Sequence, residues 1–316
     1  MRLITLLLIF VFGTLVISMN VESAEPEQVH LATNGISGEM VVQWGTEEDT
    51  TVFCDSDNTV EYGTGQDSLN FSEEGDDDMY LWTTCTHTTI LSGLTSNTTY
   101  YYRVGGGGEW SDIFSFKTLE AEPESVLIGA IADHGTSSNA QETTSNMVPI
   151  DFDLVIHAGD ISYANGAGSG NGVGDQSVWD EYQNQIEKIA SKSPHMYAPG
   201  KHEEDAEPYG FDAYESRFYT TGSNSFWYSF DFEYIHFVSI SSEHDYDPGS
   251  SQYTWLENDL EDADGNRENV PWVIVFAHRA MYSSNGEGDG HGSEIEFRDA
   301  MESLLFDYHV DLAIWG

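Results

Sequence analysis

Two aspartates that end short apolar runs are the residues of this sequence best suited to chemistry. The run VLIGAIAD ends at Asp133, and the run FDLVIHAGD ends at Asp160. A continuous apolar run of this length, followed by glycine or polar residues, is typical of a strand covered on both faces. Because open α/β sheets bind ligands beyond the carboxyl ends of their strands, we expect both carboxylates at one sheet edge. Their pairing there predicts a binding site for hard cations.

The same arrangement recurs further along the chain. HMYAPGKH ends at His202, PWVIVFAH ends at His278, and a last run, VDLAIWG, closes the sequence. A single run that ends in Asp or His is usually no more than a strand followed by a polar loop. Agreement between several runs favours a shared site. Amphipathic helices are predicted between the runs, as an α/β fold requires, over residues 178–192, 253–263 and 294–308.

Residues 24–120 have a different pattern from the rest of the chain. Short runs rich in β-branched and aromatic residues are separated by Gly, Asn, Asp and Ser, which predicts an all-β sandwich of the immunoglobulin or fibronectin type III kind. The acidic segment Glu73–Asp78 within it is predicted to be a solvated loop. Residues 121–124 then form a short linker to the α/β part.

Residues 1–23 look like a signal peptide, with a basic residue near the start, an apolar run and small residues before a cleavage site. A membrane anchor is the alternative, but the apolar run is short for a span. We therefore predict secretion, to the outside of the cell or to the endomembrane lumen. Export favours a disulfide between Cys54 and Cys85 over two buried thiols. Asn70 and Asn97 begin glycosylation sequons.

The charge of the chain limits its partners. The 316 residues include 55 Asp and Glu against 10 Lys and Arg, which gives a formal net charge of −45. Such a surface repels nucleic acid and anionic membranes, so we predict no nucleic-acid partner and no stable membrane association. A phosphate substrate would need local positive charge, which a metal centre could supply.

The motifs of the α/β part resemble, in order, those of the purple acid phosphatases, a family of metallophosphoesterases. They are D-x-G from Asp133, G-D-x-x-Y ending at Tyr163, G-K-H-E from Gly200 in place of G-N-H-E, and V-x-x-H ending at His278. The resemblance covers nearly the whole mature chain. It implies a fibronectin III-like β-sandwich over residues 24–120, followed by an α/β metallophosphoesterase domain with αββα layers over 125–316.

The resemblance also implies a binuclear centre and a ligand set. Asp133 and Tyr163 would bind Fe(3+), Asp160 would bridge it to a divalent metal (Zn, Mn or Fe), and His278 would bind that second ion. Two such ions clamp a phosphoryl group and lower the pKa of a bound water. The implied activity is hydrolysis of small-molecule phosphate monoesters by a metal-bound hydroxide, at acidic pH because ferric iron acidifies its water strongly.

Two histidines resemble the outer residues of the family's site, and two features depart from the family pattern. His202 and His291 would orient the phosphate and assist protonation of the leaving group. Lys201 stands where the family has an Asn ligand of the divalent metal, and an ammonium has no lone pair to donate. The sequence also stops at Gly316, before the family's last two ligand histidines. We therefore expect the chain to be an inactive fragment of an enzyme.

Two other functions stay open on the sequence alone. A catalytically degenerate binding protein, or pseudophosphatase, is favoured by Lys201. A phosphodiesterase or a nucleotide-directed metallophosphoesterase would use the same metal ligands, because the choice of substrate depends on the shape of the loops around the metals.

Overall fold

A computed structural model describes residues 25–316 apart from 48–53, 55–57, 81–83, 107, 167–173, 205–209 and 286–291. The predicted signal peptide and His291 lie outside the described residues, as does most of the glycine-rich segment 165–175. No helix within the described ranges is long and apolar enough to cross a bilayer.

The amino-terminal part is a β-sandwich, as predicted. One sheet has the strand order β1-β2-β6-β5, and the other has β4-β3-β7-β8 with β9 paired to β7. Alternation along β7 buries Tyr100, Tyr102 and Val104 against Trp44 of β2. The strands are β1 (Glu27–Ala32), β2 (Met40–Glu47), β3 (Thr59–Gly63), β4 (Phe71–Glu74), β5 (Asp76–Tyr80), β6 (Thr84–Leu91), β7 (Thr99–Gly106), β8 (Glu109–Trp110) and β9 (Phe114–Lys117).

The prediction of a solvated loop at Glu73–Asp78 is wrong. These residues belong to β4 and β5, which pair with β3 and β6 at the edges of the two sheets. Their side chains are exposed, so the strands lack the apolar alternation that reveals a half-buried strand. Charged side chains on exposed edge strands also discourage pairing with another chain. Gly75 joins the two strands, where a Cβ would collide with the carbonyl oxygen of Thr88.

The predicted disulfide is confirmed. Cys54 and Cys85 are bonded, with their Cα atoms 5.7 Å apart, and the bond ties the segment before β3 to strand β6. The sequon residues Asn70 and Asn97 are both exposed, and their glycosylation stays a prediction.

The second part contains two sheets that pack face to face. Strands β10 to β12 form a parallel sheet, whereas β14 to β16 run parallel with β13 antiparallel at one edge. Between the sheets, Ile156 and Met196 meet Phe230, Phe237 and Phe276. The strands are β10 (Ile128–Ile131), β11 (Leu154–Ala158), β12 (His195–Ala198), β13 (Tyr228–Phe232), β14 (Ile235–Ser239), β15 (Trp272–Ala277) and β16 (Leu312–Trp315).

Helices cover the outer faces of both sheets and complete the four αββα layers. Met147 of α1 and Ile189 of α2 pack on Val155 of β11. Leu260 of α4 and Phe297 of α5 pack on the other sheet. The three predicted helices correspond to α2, α4 and α5. The helices are α1 (Ser138–Met147), α2 (Ser177–Ala190), α3 (Asp212–Arg217), α4 (Ser251–Gly265) and α5 (Ile295–Asp307).

A buried polar contact joins the sandwich to the phosphoesterase layers. The guanidinium of Arg217, at the end of α3, donates to Gln28 of β1 at 2.9 Å and to Gln183 of α2 at 2.6 Å. It also lies 2.8 Å from the carboxylate of Asp180. The hydroxyl of Tyr102 donates to the carbonyl of Ser191 at 2.6 Å. The two parts are therefore fixed to each other by directional bonds in addition to apolar packing.

Candidate metal centre

The loops that follow β10 and β11 run side by side and carry the two aspartates. The N–H of Asp133 donates to the carbonyl of Gly159 at 3.1 Å, and the N–H of His134 donates to that of Asp160 at 3.1 Å. The next bond joins Gly135 to Ile161 at 2.8 Å. The pairing of the parallel strands thus continues beyond their carboxyl ends and holds Asp133 and Asp160 beside each other.

The backbone at three of the predicted ligands is strained. Asp133, Asp160 and Tyr163 have φ values of 48°, 50° and 63°, in the left-handed region. This region costs a residue with a Cβ on the order of 1 kcal/mol or more, and such strain concentrates at functional sites. The conformation turns the chain sharply at each residue, so that all three side chains are delivered to the same edge.

Asp133, Asp160 and His278 form a group able to hold a metal ion. One ligand atom from each residue lies within 4.8 Å of the other two, and no second group of this kind occurs among the described residues. The Nε2 of His278 is 3.2 Å from Oδ2 of Asp160, while its Nδ1 is 3.2 Å from the carbonyl oxygen of Ala158. Since a carbonyl only accepts, Nδ1 carries a proton there, and Nε2 would be the atom that binds a cation once the cation displaces its proton.

Two glycines allow this close approach between the sheets. A Cβ on Gly159, whose φ is +79°, would lie 2.6 Å from the Cβ of His278. A Cβ on Gly200 would lie 2.5 Å from Oδ1 of Asp160 and 2.9 Å from Cγ of His278. Any larger residue at either position would push His278 away from the carboxylates. The site is therefore built for contact between His278 and Asp160.

Burial and hydrogen bonding set the charge of this pair. Burial alone would raise the pKa of Asp160, but the hydrogen bond and charge of His278, with the N–H of His202, bring it below its usual value. Burial likewise opposes the charged form of His278, yet Asp160 and Asp133 raise the pKa of that ring to about 9. Asp160 is thus an anion near neutral pH, as a metal ligand must be.

Tyr163 lies beside the carboxylates with its hydroxyl donating to Oδ1 of Asp133 at 3.1 Å. Burial and the charges of Asp133 and Asp160 raise the pKa of this phenol well above its ordinary value. A phenolate at this position therefore requires a bound cation. The donors assembled here, two carboxylates, an imidazole and a phenol, suit a hard, highly charged ion.

His202 contacts the same group from the turn after β12. Its N–H donates to Oδ1 of Asp160 at 2.8 Å, and its Nε2 is 3.7 Å from Oδ2 of the same residue. Its Nδ1 is 3.1 Å from Oδ1 of Asn165, and its ring lies 4.5 Å from that of Tyr163. Burial lowers the pKa of His202; the charge of Asp160 opposes this effect, and that of Lys201 adds to it.

The predicted site residues thus divide into three groups. The structure brings together Asp133, Asp160, Tyr163, His202 and His278. Lys201 is adjacent in the chain, but its side chain is exposed. His291 lies outside the described residues, so its role stays a prediction, as do the ligand roles of the others.

Sequence reasoning did not foresee the part played by Glu203. This residue is fully buried, and its carboxylate accepts the N–H groups of Gly200 at 2.7 Å, Asp160 at 2.8 Å and Ile161 at 2.7 Å. Burial raises its pKa to about 8, against the opposing effect of these N–H donors. Glu203 therefore holds the backbone that presents Asp160. Its place in the G-K-H-E motif was the signal, but the sequence does not show where its carboxylate points.

Comparison with known proteins identifies the fold and the family. The family model "Purple acid Phosphatase, N-terminal domain" matches residues 26–118, and the model "Calcineurin-like phosphoesterase" matches residues 81–316. The solved structure of purple acid phosphatase PPD1 from yellow lupin superposes with a TM-score of 0.77 at 28% identity, over 93% of this chain and 58% of that one. The structure of PhoD shares the fold at 14% identity, with a TM-score of 0.55.

Curated relatives agree with these matches. Probable purple acid phosphatase 20 of Arabidopsis thaliana is 31% identical over 92% of this chain and 67% of its own length. Purple acid phosphatase 22 of the same plant is 33% identical over 93% and 65%. Human acid phosphatase type 7 is 30% identical over 98% and 73%. The chain thus spans about two thirds of the length of these relatives. It belongs to the purple acid phosphatase family.

Proposed function

We propose that this protein is a secreted, metal-dependent acid phosphatase that hydrolyses phosphate monoesters at a binuclear Fe(3+)–divalent centre. The observation that carries the proposal is the convergence of Asp133, Asp160 and His278 within 4.8 Å, with the hydroxyl of Tyr163 at 3.1 Å from Asp133. The names of the relatives, which are acid and purple acid phosphatases, support the reaction class.

We assign each residue a role from its contacts and from the family pattern of the motifs. Asp133 and Tyr163 would hold the ferric ion, Asp160 would bridge, and His278 would bind the divalent ion (Zn, Mn or Fe). When bound, such ions neutralise the charge of a phosphoryl group and acidify the attacking water. His202, anchored by Asn165 and by its N–H to Asp160, is placed to orient a phosphate.

The test of this proposal is the substitution Asp160→Ala in the full-length protein. Loss of the carboxylate shared by both ions should abolish binding of iron and of the divalent metal, and with it the hydrolysis of p-nitrophenyl phosphate at acidic pH. Metal content by mass spectrometry and turnover are the two measurements. Asp78→Ala, which removes an exposed carboxylate from β5, is the matched control and should change neither.

Turnover at the unmodified rate in Asp160→Ala would contradict the mechanism. A pseudophosphatase is the second candidate, since the exposed ammonium of Lys201 replaces a family ligand. An assay of the unmodified protein distinguishes the two candidates, because a pseudophosphatase would bind phosphate and would release none from any ester.

A further inference from the structure

Lys201 places a positive charge at the edge of the metal centre. It begins a short 3-10 turn, Lys201–Glu203, whose flanking residues both contact the centre. On one side, Gly200 packs against Asp160 and His278. On the other, the N–H of His202 donates to Oδ1 of Asp160 at 2.8 Å. The backbone of Lys201 is therefore fixed beside Asp160, while its side chain is exposed.

The charge of Lys201 is unpaired within the described residues. No hydrogen bond or ion pair joins its ammonium to another residue in the described part of the chain. Most other basic side chains are paired with carboxylates, including Arg279, which follows His278 directly. Its guanidinium is held by Glu243 at 2.6 Å and by Glu294 at 3.3 Å. The remaining ion-paired basic residues are Arg103, Lys192, Arg217, Arg267 and Arg298.

The surroundings of Lys201 are acidic, so an unpaired positive charge there would increase the affinity for a phosphate. Asp133 and Asp160 give the site an acidic lining, and the chain carries a net charge of −45. A phosphate monoester near neutral pH carries close to two negative charges, whereas a diester carries one. A lysine ammonium binds phosphate oxygens as a point charge, so its contribution grows with the charge of the ligand.

We propose that the ammonium of Lys201 binds a non-bridging oxygen of the substrate's phosphate and thereby favours dianionic monoesters over monoanionic diesters. This inference rests on the proposed function, because it assigns Lys201 to the substrate of the same site. Lys201 is thus a substrate-binding residue at the position where the family pattern G-N-H-E has a metal ligand.

The experiment compares three variants of the full-length protein. Lys201→Met removes the charge at similar length and introduces no hard ligand, Lys201→Arg keeps the charge, and Lys188→Met removes an exposed charge from α2. Binding of inorganic phosphate is measured by calorimetry at pH 7. KM is measured at the same pH, where the monoester is close to dianionic, for p-nitrophenyl phosphate and for bis(p-nitrophenyl) phosphate, and metal content is measured in parallel.

Lys201→Met should weaken phosphate binding and raise KM for the monoester about tenfold, the scale of one charge-assisted hydrogen bond. KM for the diester should rise less, and the metal content should stay at the unmodified value. Lys201→Arg should keep most of the affinity, and Lys188→Met should change nothing.

Equal phosphate affinity in Lys201→Met and the unmodified protein would overturn the inference, as would loss of metal in Lys201→Met. Neither result touches the proposed function, which depends on the loss of metal and turnover in Asp160→Ala. Conversely, the unmodified protein could bind phosphate and hydrolyse no ester, with Lys201→Met weakening that binding. The proposed reaction would then be wrong, and the binding role of Lys201 would stand.

Discussion

Two buried ionisable side chains, Arg217 at the junction of the two domains and Glu203 at the metal centre, are stabilised in different ways. Arg217 is 2% exposed and meets a carboxylate, that of Asp180, together with two side-chain amides. Glu203 is fully buried, and its hydrogen bonds come from three backbone N–H groups. The charge of Arg217 is neutralised by an opposite charge, whereas the carboxylate of Glu203 is held by dipoles, and burial raises its pKa to about 8.

The difference separates a structural contact from a functional one. The charge of Arg217 is balanced by Asp180 within the protein, so this contact needs no further ion. At the metal centre, Glu203 meets backbone dipoles instead of a cation, and Asp133 and Asp160 in front of it leave an excess of acid for a metal ion to balance. Substitutions at the junction should therefore change stability, whereas substitutions behind the centre should change metal affinity.

Arg217→Met should give the largest effect on stability. The change leaves the amide oxygens of Gln28 and Gln183 without their guanidinium donor and Asp180 without its cation, which we expect to lower the free energy of unfolding by about 3 kcal/mol. Denaturant titration is the measurement. Arg298→Met, which breaks an exposed pair with Asp299, is the control and should cost about 1 kcal/mol or less. The metal content of the folded Arg217→Met protein should stay unchanged. A loss of metal would contradict the distinction between the junction and the metal centre.

Glu203→Gln should act mainly on the metal. The amide nitrogen cannot accept a hydrogen bond, so at least one of the three backbone N–H groups loses its partner and Asp160 shifts. We expect metal affinity to fall about 10–100-fold, the usual effect of losing a group that orients a ligand. Metal titration by calorimetry is the measurement.

Glu187→Gln is the matched control for Glu203→Gln. Glu187 also accepts a backbone N–H, that of Val29 at 2.9 Å, but it lies at the junction of the two domains. Its substitution should reduce stability and leave metal affinity alone. An equal loss of affinity in both variants would mean that Glu203 acts only through general stability.

The sequence identified the strands of the site more readily than the contacts behind them. The apolar runs before Asp133, Asp160 and His278 are visible because strands covered on both faces are continuously apolar. The part played by Glu203 was not visible, since nothing in a charged side chain's identity shows whether it points inward. Arg217 was missed for the same reason, because its partners are far apart in the chain. The edge strands around Gly75 were predicted to be a loop because their side chains face solvent and show no apolar alternation.

Lys201→Asn tests whether a residue at the edge of the metal centre changes metal affinity, as the comparison predicts. An ammonium has no lone pair, whereas the oxygen of an amide can bind a metal. We expect the Asn variant to gain divalent metal, with an increase in affinity of about tenfold or more, the scale of a restored ligand contact. Metal content per chain at limiting metal, with turnover beside it, is the measurement. Equal occupancy in the two forms would show that this position contributes no ligand even when it can.

Substitution of His236 should have the smallest effect on stability, and it extends the comparison to a third charge, which is half-buried. Its ring lies between two carboxylates, with Nδ1 at 2.6 Å from Asp231 and Nε2 at 3.1 Å from Asp259. Burial lowers its pKa, but the hydrogen bonds and charges of Asp231 and Asp259 outweigh this and raise it to about 9. Like Arg217, this cation is neutralised within the protein.

Because the folded pKa of His236 lies above the ordinary value of 6.5, its contribution to stability is complete below pH 6.5 and is lost as the pH rises towards 9. The carboxylate of Asp231 is 44% exposed, so we expect solvent screening to limit the effect to about 1 kcal/mol. Denaturant titrations from pH 6 to 9.5 should show this decline in the unmodified protein and a flatter profile in His236→Gln. A slope that persists in the variant would assign the pH dependence to other groups, and the pair at His236 would then be structurally neutral.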